Sequence, residues 1–235
     1  MPGWDVPSSR AAVELARAYS VDAAVGIHPH VAAGASDDAW AAIVELADEA
    51  GVVAVGETGL DYDRGFSPRI AQLVNLRRHL LLGRAVGLPV ILHCRSKPGR
   101  RDAHDDLLAE LRRAGAGGPA WAMPVGRPAA LLHSFSGPLD YAEVALALGL
   151  AVSFAGLVFR AGEEASAEVA RRVPPERLLV ETDSPYLAPP GAPRRRNEPR
   201  WVGVTAAWLA EQRGDDPAAL GEQLVANYDR LFGAG

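Results

Sequence analysis

Apolar residues along this chain fall into short unbroken runs separated by longer stretches of helical period. The runs are VDAAVGIHPH (21–30), VVAVGETGLDY (52–62), LPVILHCR (88–95), AALLHSFSG (129–137), LAVSFAG (150–156) and RLLV (177–180). A near-continuous apolar run, unlike strict alternation, predicts a strand buried on both faces. Between the runs the spacing predicts helices over 8–19, 37–50, 67–87, 103–115, 138–149, 163–172, 199–213 and 216–232. Ser8 or Ser9 is expected to cap the first helix, and Ser36 or Asp37 the second. In the 67–87 helix, Ile70, Leu73, Val74, Leu76, Leu80 and Leu81 mark the expected buried face. Residues 96–102, 115–128 and 188–199 read as loops.

Strand–helix alternation predicts an α/β fold with a parallel sheet. Six strands, preceded by a helix, fall short of the eight that close a TIM barrel. Two readings therefore stand. One is a barrel whose first strand, first helix and second strand are missing from the N-terminal end; the other is an open doubly wound sheet. The second lacks a glycine-rich phosphate loop, since HPHVAAGAS after the first strand is not G-x-G-x-x-G.

With 235 residues, 49% hydrophobic and 23% charged, the chain suits a single domain over 1–235 with a large core. A net charge of −5 gives no general basic footprint, so an anionic partner would need local Arg/Lys groups or a bound metal. The single cysteine, Cys94, excludes an internal disulfide and fits a reducing compartment. There is no apolar run long enough to span a bilayer, and MPGWDVPSSR has no signal-peptide core, so a cytoplasmic protein without a membrane partner is expected.

Chemistry concentrates where the apolar runs stop. His28, Glu57, His93, His133 and Asp183 each follow one, and each is a residue type that ligates divalent metals. In a parallel α/β fold such positions converge at the carboxyl rim of the sheet. His28 is the weakest of the five, because HPH can be loop architecture. His79 and His104 fall on helices and read as surface residues. Cys94 would face away from His93 and reads as a small buried apolar group.

The segments VGIHPH (25–30), VGETGLDY (55–62), PVILHCR (89–95), LLHSFSG (131–137), VPPERLLVETDSPYLAP (173–189), RNEP (196–199) and NYDRLFG (227–233) resemble the TatD family of metal-dependent deoxyribonucleases. The resemblance covers about 21 to 233 and is most specific in ETDSPYLAP. It implies a TIM barrel of the metal-dependent hydrolase type, holding one or two divalent ions (Mg, Mn, Zn or Co). The implied activity is phosphodiester hydrolysis by a metal-activated water, as a 3′→5′ exonuclease preferring single strands. DNA is the expected substrate, RNA a second candidate, and the enzyme a monomer. Carried over by position, Glu57, His93, His133 and Asp183 are metal ligands, with Glu57 and Asp183 also catalytic. Arg95, Ser136, Arg196 and Asn197 lie where phosphate contacts are expected, while Arg194 and Arg195 read as a solvated charge run. His28 and His30 are supporting residues at most.

Two departures from the family pattern stand out. The family's opening Asp-x-His-x-His segment, whose histidines are ligands, has no counterpart here, and PGWD (2–5) matches a segment after the second strand. The expectation is a native start about 40–50 residues earlier, roughly one βαβ unit, and an exposed sheet edge at 21–27. SKPGR (96–100) is inserted after HCR. Two other functions remain open: a non-catalytic paralogue with a binding role, and another hydrolase of the same fold.

Overall fold

A computed structural model describes residues 1–119, 121, 123, 126–193 and 196–233. Among them six strands form one parallel sheet: β1 (Ala23–Val25), β2 (Val52–Asp61), β3 (Val90–Arg95), β4 (Ala130–Leu132), β5 (Ala151–Phe154) and β6 (Leu178–Val180). They pair in chain order, β1 to β6, without reversal. A doubly wound sheet would reverse its order at a switch point, so the open alternative is excluded and the topology is that of a rolled (β/α) barrel. The helices are α1 (Val6–Tyr19), α2 (Asp37–Ala47), α3 (Arg69–Val86), α4 (Asp102–Ala114), α5 (Leu139–Ala147), α6 (Ala165–Arg172), α7 (Val202–Arg213) and α8 (Pro217–Phe232). None is long and apolar enough to cross a membrane.

Burial explains the roll. One face of the sheet packs against the helices in the larger core, which contains Val25, Val55, Leu92, Leu132, Val152 and Leu178. The other face carries small groups, Ala24, Ala54 and Ala151, with Leu131 and Leu179, and is filled by Leu231 and Phe232 from α8. Small inward residues let the strands curve around that plug. A cavity of about 210 Å³ is left inside, lined by Ile91, Leu131 and Phe232 together with His133 and Glu181.

The expected exposed edge is covered. Met1–Trp4 runs alongside β1: Gly3 N–H donates to Ala24 O (2.8 Å), Ala24 N–H to Met1 O (2.9 Å) and His28 N–H to Trp4 O (2.9 Å). Helix α1 then starts earlier than the serines suggest. Asp5 is the N-cap, accepting from Ser8 N–H at 2.9 Å, and Ser8 Oγ accepts from Asp5 N–H at 2.9 Å. Pro7 is tolerated because first-turn N–H groups have no helical partner anyway.

Helix α3 also differs from expectation. Ile70 is 65% and Leu81 60% exposed, and Val74 is exposed, whereas Gln72, Asn75 and His79 are buried. Those polar groups face inward because they satisfy backbone at the strand ends. Gln72 Oε1 accepts from Asp61 N–H (2.7 Å), Asn75 Nδ2 donates to Ile27 O (2.6 Å), and His79 Nε2 accepts from Ile27 N–H (3.0 Å). His79 is thus a clamp rather than a surface residue. His104 is buried too, its Nε2–H donating to Ser136 O at 3.2 Å. Cys94 is half-buried and packs against the larger core.

Burial lowers the His79 pKa from 6.5 to about 4, and protonating Nε2 would set it against the Ile27 N–H. Between pH 6.5 and about 4 the unfolded chain binds a proton that the folded chain refuses. The stability His79 contributes is therefore complete above pH 6.5 and lost as pH falls toward 4. His79→Leu, which orphans the Ile27 N–H, should cost about 1–3 kcal/mol at neutral pH. Denaturant melts of both proteins should show a shallower loss on acidification for the variant; equal slopes would contradict the neutral clamp.

Candidate active site

Strand β2 does not stop at Glu57, as its sequence suggested. It continues to Asp61 through a register irregularity between Val55 and Thr58. Two glycines make this possible. Gly56 and Gly59 both have φ of +138°, and a Cβ on Gly59 would sit 1.9 Å from His93 O. With no side chain there, β3 pairs closely, Gly59 lies opposite His93, and Asp61 lies opposite Arg95.

The result is one carboxylate oxygen at the focus of three imidazoles. Glu57 Oε1 lies 2.8 Å from His133 Nε2, 3.1 Å from His93 Nδ1 and 3.1 Å from His28 Nε2. The second nitrogen of each ring is also held. His28 Nδ1 accepts from His30 N–H at 3.1 Å, His93 Nε2 faces Asp61 Oδ2 at 3.2 Å, and His133 Nδ1 faces Glu181 Oε2 at 3.3 Å. Glu181 is itself fixed by the Ser134 N–H. Asp61 Oδ2 also accepts from His30 Nε2 at 2.6 Å.

These contacts set the charges. Burial works against ionised Glu57, but His133, His28 and His93 outweigh it and hold its pKa well below the ordinary value. Burial likewise opposes protonated His133, yet Glu57 and Glu181 raise its pKa well above 6.5. His93 is raised against the same penalty by Asp61 and Glu57. His28 behaves oppositely: burial pulls it to about 4, so it is neutral. Burial raises Asp183, partly offset by the His133 charge. Asp183 also has a left-handed backbone, φ +57°, a conformation Asp tolerates better than most residues.

Among the described residues, two groups have ligand atoms that all lie within 4.8 Å of one another inside the group: Glu57, His93 and His133, and His28, His30 and His93. The first joins three of the four ligands expected from the sequence; Asp183 falls in neither. Of the residues expected near phosphate, Arg95 Nε donates to Asp63 (2.8 Å) and Ser136 Oγ to Glu163 (3.1 Å). Arg196 is exposed and pairs with Glu198 at 2.7 Å. Asn197 is buried behind the 182–186 loop, its amide donating to Thr182 O (2.6 Å) and to Tyr186 O. Arg194 and Arg195 lie outside the described residues. Sequence reasoning passed over Asp61 and Glu181. Asp61 stands four residues beyond Glu57 in GETGLDY, and Glu181 opens the ETDSPYL stretch, so both were within motifs already in view.

The donor set suits a divalent cation. A carboxylate and two imidazoles converge, and the outward nitrogens are already committed to Asp61 and Glu181, the arrangement that fixes ligating histidines in metal centres.

The sequence profile of the family described as TatD related DNase matches residues 1–233. A protein named 3′-5′ ssDNA/RNA exonuclease TatD from Cronobacter sakazakii is 39% identical over 237 residues, 98% of this chain and 84% of that protein. Its namesake from Erwinia billingiae is 38% identical over 213 residues, 88% of this chain and 76% of that protein. The crystal structure of YjjV, a TatD homologue from Escherichia coli K12, superposes with a TM-score of 0.86 at 28% identity, covering all of this chain and 86% of that one.

Since the Glu57 charge is a main support of protonated His133, Glu57→Gln should lower the His133 pKa in metal-free protein. Imidazole NMR titration reads this directly. An unchanged His133 would mean that Glu181 alone holds its proton.

Proposed function

This chain belongs to the TatD related DNase family, and from that premise we propose that it is a metal-dependent phosphodiesterase trimming single-stranded DNA or RNA from the 3′ end. The observation that carries the proposal is the convergence of His93 Nδ1 and His133 Nε2 on Glu57 Oε1. Glu57, His93 and His133 would hold the ion. Two imidazoles and one carboxylate favour Zn, Mn or Co over Mg, and leave further positions open for substrate. His93 is common to both ligand groups, and a neutral imidazole binds one ion, so one equivalent per chain is expected. A divalent ion supplies Lewis acidity there: it acidifies water and neutralises phosphate charge.

The remaining chemistry falls to side chains. Asp183, raised by burial above an ordinary carboxylate, is suited to accept the proton of the attacking water. Asn197 holds the loop that carries Asp183 by donating to Thr182 O and Tyr186 O. Arg95 and Ser136, paired with Asp63 and Glu163, are the candidates to exchange those partners for phosphate oxygens. No base-edge reading is needed for such a reaction, so sequence preference should be low.

Metal-loaded protein given a 5′-labelled single-stranded oligonucleotide should produce a ladder shortening from the 3′ end, with no turnover of acyl esters. His93→Ala should abolish both the ladder and the metal found by elemental analysis. Asp183→Asn should keep the metal while lowering kcat by about 10²–10⁴-fold. A protein that binds metal and cleaves no oligonucleotide with Mg, Mn, Zn or Co would overturn the proposal.

A further inference from the structure

A line of aromatic rings leads outward from the buried carboxylate. Trp4 stacks on His28, centroids 3.9 Å apart and planes 8° apart, and meets His30 edge-on at 5.3 Å. His30 in turn meets Phe66 edge-on at 4.8 Å. The inner end touches Glu57 through His28. The outer end is open: Phe66 is 67% exposed and Trp4 38%. A phenylalanine ring left two-thirds in water forgoes most of the gain from burial.

Its backbone is nevertheless pinned on both sides. Asp61 Oδ1 accepts from the Asp63 and Arg64 N–H groups at 3.0 and 2.8 Å. Ser67 Oγ donates to His30 O at 2.9 Å and accepts from Ala33 N–H at 3.0 Å, and Gln72 Nε2 donates to Ser67 O at 2.9 Å. Asp61 is the same carboxylate that holds His93 and His30. The exposed ring is therefore presented in fixed register with the candidate metal ligands.

We infer that Phe66, backed edge-on by His30 and through it by Trp4, presents a stacking platform for a nucleobase of the substrate strand adjoining the phosphate under attack. This rests on the nuclease reading above. Every base has a π-face, so such a platform is indifferent to sequence. It does require the base to turn out of its own stack, and in a duplex pairing to the opposite strand holds the bases beside the last phosphodiester in place. Single-strand selectivity would thus arise from stacking and would need no separate device against duplexes. Pre-ordering by Asp61, Ser67 and Gln72 lowers the entropic cost of forming the stack.

The test measures Kd by fluorescence anisotropy, using metal-loaded protein and a cleavage-resistant phosphorothioate single-stranded oligonucleotide. A matched oligomer carries abasic residues at its three 3′-terminal positions. Phe66→Ala should weaken binding of the base-bearing oligomer by about 5- to 150-fold, the span of one base–aromatic stack, and Phe66→Trp should restore it. On the abasic oligomer wild type and Phe66→Ala should bind alike. Equal affinities for the base-bearing oligomer, an undiminished penalty on the abasic one, or no binding by wild type would each overturn the platform. Cleavage assays on ordinary oligonucleotides separate the two ideas. Turnover with no Phe66 effect leaves the nuclease and removes the platform; stacking-dependent binding without turnover does the reverse.

Discussion

Burying an ionised carboxylate costs several kcal/mol unless its lone pairs and charge are met, and Glu57 is buried deep in the sheet. Three imidazole nitrogens meet one of its oxygens, and much of the surrounding architecture keeps them there. Each ring is turned by a partner on its far side: a backbone N–H for His28, Asp61 for His93, Glu181 for His133. The two carboxylates are held in turn by the backbone N–H groups of Asp63, Arg64 and Ser134. Truncating any one member would leave another buried and unpaired, so the set acts as a unit. The same convergence brings a carboxylate and two imidazole nitrogens within 4.8 Å of one another, close enough to share a cation once the imidazoles give up their protons.

Backbone geometry makes the convergence possible. A regular strand would alternate its side chains and send Glu57 and its neighbours to opposite faces. The irregularity after Val55, with glycines at 56 and 59, breaks that alternation and lets β3 close on β2. Any larger residue at 59 would collide with His93 O, the carbonyl of a residue that must reach Glu57. The glycines of GETG therefore belong to the site as much as its acid does.

The strands and most helices were legible because long apolar runs and 3.6-residue spacing report burial directly. The misplaced polar residues share one cause. Gln72, Asn75, His79 and His104 are polar, so composition sends them outward; the structure buries them because strand ends and loops leave backbone groups needing partners. That demand is tertiary and has no sequence period. Asp61 and Glu181 escaped notice for a related reason: each lies beside a more conspicuous acid, and their work is on the far side of a histidine. Asp5 was passed over for Ser8 and Ser9, although the proline between them is accepted in the first turn.

Among the described residues the rolled sheet has β1 at one edge and β6 at the other, with no ladder joining them, which raises the question of what fixes the site. The placement of the donors answers this. Glu57 and Asp61 are on β2, His93 is on β3 directly opposite Gly59, and His133 follows β4 with its N–H bonded to Leu92 O at 3.1 Å. These strands are consecutive and interior to the sheet, so their spacing is fixed by ladder hydrogen bonds rather than by barrel closure. The edges are stiffened separately, β1 by Met1–Trp4 and the inner face by Leu231 and Phe232. Curvature enters for the acids beyond β6 at the far side of the sheet: Glu181, which reaches His133, and Asp183, whose pKa the His133 charge lowers. The ligand set is thus a local property of three adjacent strands, and it is the acids beyond β6 that depend on how the sheet rolls.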